Sequence, residues 1–130
     1  MDKNGVFLPR PINIVLEGSK NYLSWSQAMC SFLKSRMLWY YCTSAITIPV
    51  KGTNEEDAVF LGRMIEWDSH NHMILTWIQN TSIPSISNLL GSFDDAKSAW
   101  DMLAKRYSTT HDSMKYQLMV ELHQLRQEPR

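Results

Sequence analysis

Three segments of the chain place large side chains, many of them aromatic, at intervals of three, four and seven residues, and this spacing constrains the fold most. Tyr22, Trp25, Met29 and Phe32/Leu33 fall on one helix face. Phe60, Met64, Trp67, Ile74 and Ile78 fall on a second, and Ala96, Ala99, Trp100, Leu103 and Tyr107 on a third. A strand sends alternate residues to opposite sides and would scatter each of these sets. Stripes of this kind must be buried against one another, so the expected fold is all-α, with a core built around Tyr22, Trp25, Trp67, Trp77, Trp100 and Tyr107.

The intervening residues supply punctuation. Residues 1–20 read as an extended N-terminal arm, because Pro9 and Pro11 exclude a helix while the β-branched INIVL run at 12–16 suits a short strand. The helical domain then spans 21–130. A short helical run, MLWYYC at 37–42, follows the first helix, and 44–54, with Pro49 and Gly52, reads as a loop. The long helix covers about 55–80, with Gly62 marking a break or a kink. Pro84 suits the first turn of a short helix at 82–90 that is capped by Gly91. Asp94 or Asp95 is the expected N-cap of the next helix, and Lys105-Arg106 near its end suit the helix dipole. A last helix over about 113–127 points Met114, Leu118, Leu122 and Leu125 inward. The sum is a compact bundle of five to six helices; a lobe boundary, if there is one, falls near 91–95.

Charge and cysteine usage exclude several classes of function. Thirteen basic residues balance thirteen acidic ones, so the chain lacks the broad positive field that drives non-specific nucleic-acid binding, and RNA affinity is expected to be at most weak. No apolar run resembles a signal peptide or reaches the length of a membrane span, which makes the expected address cytoplasmic, with no membrane partner. Cys30 and Cys42 match neither a zinc knuckle nor a CxxC pair and are expected to be free thiols.

The strongest hint of chemistry is WDSHNHMILTW at 67–77, where Asp68, His70 and His72 crowd together. On a helix, His70 and His72 point about 160° apart and cannot share one ion. Asp68 and His72 share a face as a solvated acid–imidazole pair. Asn71 lies on the apolar side with Trp67, Ile74 and Ile78, so it is expected to be buried and to tie this helix to a loop or a neighbouring helix end through hydrogen bonds. Glu55-Glu56-Asp57 and Asp94-Asp95 sit at helix starts, where the dipole accounts for them. The five glycines are dispersed, and no phosphate loop, dinucleotide fingerprint or zinc-protease motif is present. The expectation is therefore no catalytic residues, no metal, no cofactor and no small-molecule substrate.

Three segments together resemble a known family. LEGSKNYLSWSQAM (16–29) resembles the L-x-G-x-N-Y-x-x-W start of copia-type LTR-retrotransposon Gag polyproteins of plant genomes, with one residue more between Gly18 and Asn21. WDSHNHMILTWIQNTSIPSIS (67–87) resembles that family's W-x-x-x-N-x-x-x-x-x-W-I-x-N-S segment. AKSAWDMLAKRYSTTHDSMKYQLMVELHQLRQ (96–127) resembles its A-x-x-x-W-x-x-L-x-x-R-Y-S segment and the L-x-x-L helix after it. The resemblance implies an all-α, capsid-like domain that self-associates, as a homo-oligomer or with other Gag-like chains, into a particle shell, without catalysis. In that family the chain continues into a further helical region and a CCHC zinc knuckle that binds RNA, and neither lies within these 130 residues. Cys42-Thr43 stand where the family often has Asp-Gly, so the turn there is expected to differ. The alternative expectation is a host-adopted Gag remnant that uses the same helices to bind a partner protein.

Overall fold

A computed structural model of the chain describes residues 10–108. The expected last helix at 113–127 lies outside the described residues. Among them are four α-helices: α1 (Tyr22–Ser35), α2 (Asp57–Asn80), α3 (Pro84–Leu90) and α4 (Ala96–Leu103). A 3-10 turn at Trp39–Tyr41 follows α1, and a π turn at Ala104–Ser108 follows α4. The described residues form no β-strand; INIVL contributes a single parallel bridge, Leu16 to Ser82.

The core is where the helices' apolar sides meet. Trp25, Met29 and Leu33 of α1, Ile74 and Ile78 of α2, Leu90 of α3, and Ala96, Ala99 and Leu103 of α4 are all buried, together with Leu16 from the arm. Burying each of the larger side chains contributes roughly 1.5–3 kcal/mol. The Trp25 ring stacks on Trp100 with centroids 5.5 Å apart, and Trp39 meets the other member of that pair edge-on at 5.0 Å.

The end of the arm is stitched into this core. The Leu16 N–H donates to the Thr81 carbonyl at 2.7 Å, and the Ile83 N–H returns a bond to the Leu16 carbonyl at 3.1 Å. Asn21 holds the turn between arm and helix: its Nδ2 donates to the Val15 carbonyl at 2.8 Å while its Oδ1 accepts the Glu17 N–H at 2.9 Å. That turn passes through Gly18 at φ +136°, a conformation that side chains disfavour.

Three expectations need correction. The run 37–42 is helical only over Trp39–Tyr41, as a 3-10 turn, and does not extend over its full length. After α1 the chain turns through Met37 at φ 61°, with the Leu38 N–H on the Leu33 carbonyl (2.8 Å) and the Met37 N–H on the Lys34 carbonyl (3.0 Å), the paired bonds of a Schellman cap. The reversal leaves length only for the 3-10 turn. Gly62 neither breaks nor ends its helix, since α2 is continuous across it. Finally, the Phe60–Met64–Trp67 half of the long stripe does not enter the core: the buried residues of α2 are confined to Asn71, Ile74, Leu75 and Ile78. Its first half lies instead beside the 50–55 loop. There Arg63 donates to both Glu55 carboxylate oxygens (2.7 Å each) and to the Val50 carbonyl (3.0 Å), and Lys51 pairs with Asp57.

Candidate functional site

Asn71 does the most for the architecture. It is 1% exposed, its Nδ2 donates to the Trp67 carbonyl at 2.8 Å, and its Oδ1 accepts the Ala96 N–H at 2.7 Å. Ala96 is the first residue of α4, whose leading N–H groups have no partner within the helix. Asp95 accepts the Ser98 N–H of the same turn at 2.9 Å, so two donors of the α4 start are satisfied, one from within and one from α2. A second buried tie joins α1 to the end of α2: Trp25 Nε1 donates to Thr81 Oγ1 at 3.1 Å, and that hydroxyl donates onward to the Trp77 carbonyl at 2.9 Å.

The other residues named from sequence are placed as follows. Tyr22 and Trp25 are buried; Trp77, Trp100 and Tyr107 are half-buried and packed against the core. Trp67 is half-buried and outside the main cluster, beside Ile48 in a recess of about 330 Å³, where its buried Nε1 finds no acceptor among the described residues.

The imidazoles of the 67–77 segment go to different partners. His70 Nδ1 shares a 2.7 Å hydrogen bond with the Tyr41 hydroxyl, whose pKa burial and the Glu66 charge raise. His72 Nδ1 lies 3.0 Å from the Asp68 carbonyl oxygen and 3.4 Å from its carboxylate, and Nε2 lies 3.9 Å from Asp94. No group of three metal-ligating side chains forms among the described residues. Both cysteines are free. The Cys42 thiol is buried, and that burial, reinforced by Cys30 and Asp101, pushes its pKa up to about 12, so at neutral pH it stays protonated and is a poor nucleophile.

What stands out is a surface. On the side of α2 that faces away from the core, Leu61 is 58% and Ile65 59% exposed. Ala58, Gly62 and Ser69 are exposed with them, so residues 58, 61, 62, 65 and 69 form a second helical stripe of small and aliphatic side chains. A Cβ built on Gly62 would meet nothing within 4 Å, which leaves this stripe a flat spot where another backbone can approach closely. Val59 on the same half-helix and Ile48 and Val50 on the adjoining loop are also more than half exposed. In the sequence the stronger inward stripe masks this face, whose available signal is the spacing of Leu61 and Ile65.

No protein-family model, no curated protein and no solved structure matches this chain. No helix among the described residues is long and apolar enough to cross a membrane.

Proposed function

We propose that the chain is a structural self-association domain of the Gag type: a capsid-like bundle of five to six helices that builds a particle shell with copies of itself in the cytoplasm and carries out no reaction. The observation that carries this reading is the second apolar stripe of α2. A helix within a bundle needs one apolar side; this one has two, and among the described residues the outward one has no neighbour to explain Leu61 and Ile65. Covering what remains exposed of these two side chains is worth roughly 1–2 kcal/mol each before the costs of association, in keeping with a contact that is weak singly and repeated many times in a shell.

The residues that carry the family resemblance support it in a different way, because they are the tie points of the fold. Leu16, Asn21 and Trp25 fasten the arm and α1, Asn71 fastens α2 to Ala96 of α4, and Trp100 of α4 stacks on Trp25. Light scattering on a size-exclusion column over a wide concentration range tests the proposal. Mass rising with concentration supports it. A strict monomer at all concentrations argues instead for a Gag-derived module that binds some other protein.

A further inference from the structure

The geometry points to an inverted second copy of the chain as the partner of the outward face of α2: two α2 helices pack antiparallel about a two-fold axis, Ile65 of each seated on Gly62 of the other. This rests on the self-association reading and fixes the arrangement which that reading leaves open.

The face is self-complementary. At about 100° per residue, α2 carries Ala58, Gly62, Ile65, Ser69, Met73 and Thr76 along one line, opposite its buried residues. All six are exposed and uncharged over about 27 Å of helix, while Asp57, Arg63, Glu66 and Asp68 stand on the two flanks. Within that line a projection and a flat spot lie one turn apart: Ile65 stands out of the surface, and a Cβ on Gly62 would meet nothing within 4 Å. A two-fold contact uses the same patch on both copies, so each projection must find the flat spot of its twin. Only antiparallel helices set 65 against 62 and 62 against 65 at once. The same register sets Ala58 against Ser69, small against small.

Charge selects the same orientation. In the antiparallel pair like flanks meet, and Glu66 falls about 3 Å along the axis from the partner's Arg63. Arg63 Nε and Nη2 are held by Glu55 and Val50, and its Nη1 has no partner among the described residues. This attraction is made twice. On the other flank Asp57 falls between the partner's Asp68 and His72, and its own Lys51 offsets the acidic neighbour. In a parallel pair opposite flanks meet instead, and each Glu66 falls beside the partner's Asp68 with no cation to offset it.

The test places single cysteines in the whole chain carrying Cys30→Ser, where the remaining Cys42 is buried. The antiparallel register brings residue 58 to the partner's 69, and it separates 58 from 58, and 69 from 69, by about 16 Å along the axis. A short bismaleimide should therefore join Ala58→Cys to Ser69→Cys chains in a mixture, while either variant alone yields few dimers. Gly62→Leu should weaken association by about tenfold or more in sedimentation with Tm unchanged or higher, since its own chain leaves room there and glycine is the poorer helix former. Dimers from each variant alone in place of the mixed product overturn the antiparallel pair, as does undiminished association of Gly62→Leu, and in both cases a mass that rises with concentration leaves self-association standing. A mass independent of concentration removes both.

Discussion

The Asn71–Ala96 contact invites a double-mutant cycle whose outcome the geometry fixes in advance. Asn71→Ala removes the acceptor that the Ala96 N–H, a buried donor, finds among the described residues, and leaving such a group unsatisfied costs about 1–3 kcal/mol. The Trp67 carbonyl loses its second donor but keeps its intrahelical one, so it adds little. With the small cavity left by the amide, the total is about 2–3 kcal/mol, which lowers Tm by about 8 °C or more in a domain of this size. Ala96→Pro alone is also destabilising, because the ring's Cδ must occupy space now held by Asn71 Oδ1, 2.7 Å from the same nitrogen. The backbone otherwise accepts proline there: Ala96 is the first helical residue, and Asp95 before it is extended at φ −134°, ψ 150°. In the double variant proline has no N–H to orphan, and the shortened residue 71 makes room for its ring. Urea unfolding followed by Trp fluorescence should therefore give a double-variant cost below the sum of the single ones by about 1 kcal/mol or more. Additivity within about 0.5 kcal/mol would refute the assignment of this bond as the tie between α2 and α4.

Other consequences are open to simple measurements. Met37 is 82% exposed and sits at φ 61°, so Met37→Gly should raise stability by roughly 0.5–1 kcal/mol, the relief of left-handed strain exceeding glycine's entropy cost; a lower Tm would mean that the Schellman turn is not formed. Hydrogen bonds from Arg63, and then from the Gly52 N–H, hold the Glu55 pKa down from its ordinary 4.5 to about 2, so its contribution is complete above the unfolded value and is lost as pH falls from there through the folded value. Glu55→Gln should accordingly narrow the loss of Tm between about pH 4.5 and 2, and an unchanged acid limb would count against the pair. With zero net charge, non-specific RNA affinity should be no tighter than about 10 μM near about 150 mM salt by fluorescence anisotropy, and tight binding with a steep salt slope would reveal a basic face.

The helices of the described fold could be read from sequence wherever one apolar stripe served one core. The stripes through Trp25 and Leu103 gave α1 and α4, Pro84 and Gly91 bounded α3, and Asn71 betrayed itself as an amide on an apolar side. The turn at Met37 gave no such signal, since a left-handed cap is usually announced by glycine and here a methionine takes the strain. In α2, α3 and α4 cover only the second half of the helix. Trp67 and Phe60 therefore satisfy the helical period without reaching the core, and periodicity cannot tell how much of a helix its neighbours cover. The same incomplete cover leaves Leu61 and Ile65 outward, where their spacing reads as noise against the stronger inward stripe.

The central claim is that this outward face joins copies of the chain, and sedimentation equilibrium of two proteins tests it most directly. Leu61 and Ile65 point away from the core, so Leu61→Lys/Ile65→Lys should fold with a Tm near that of the unmodified chain. The unmodified chain should show a mass that rises with concentration, and the double variant should remain monomeric over the same range. Equal association of both proteins, or a monomer in both, would contradict the account.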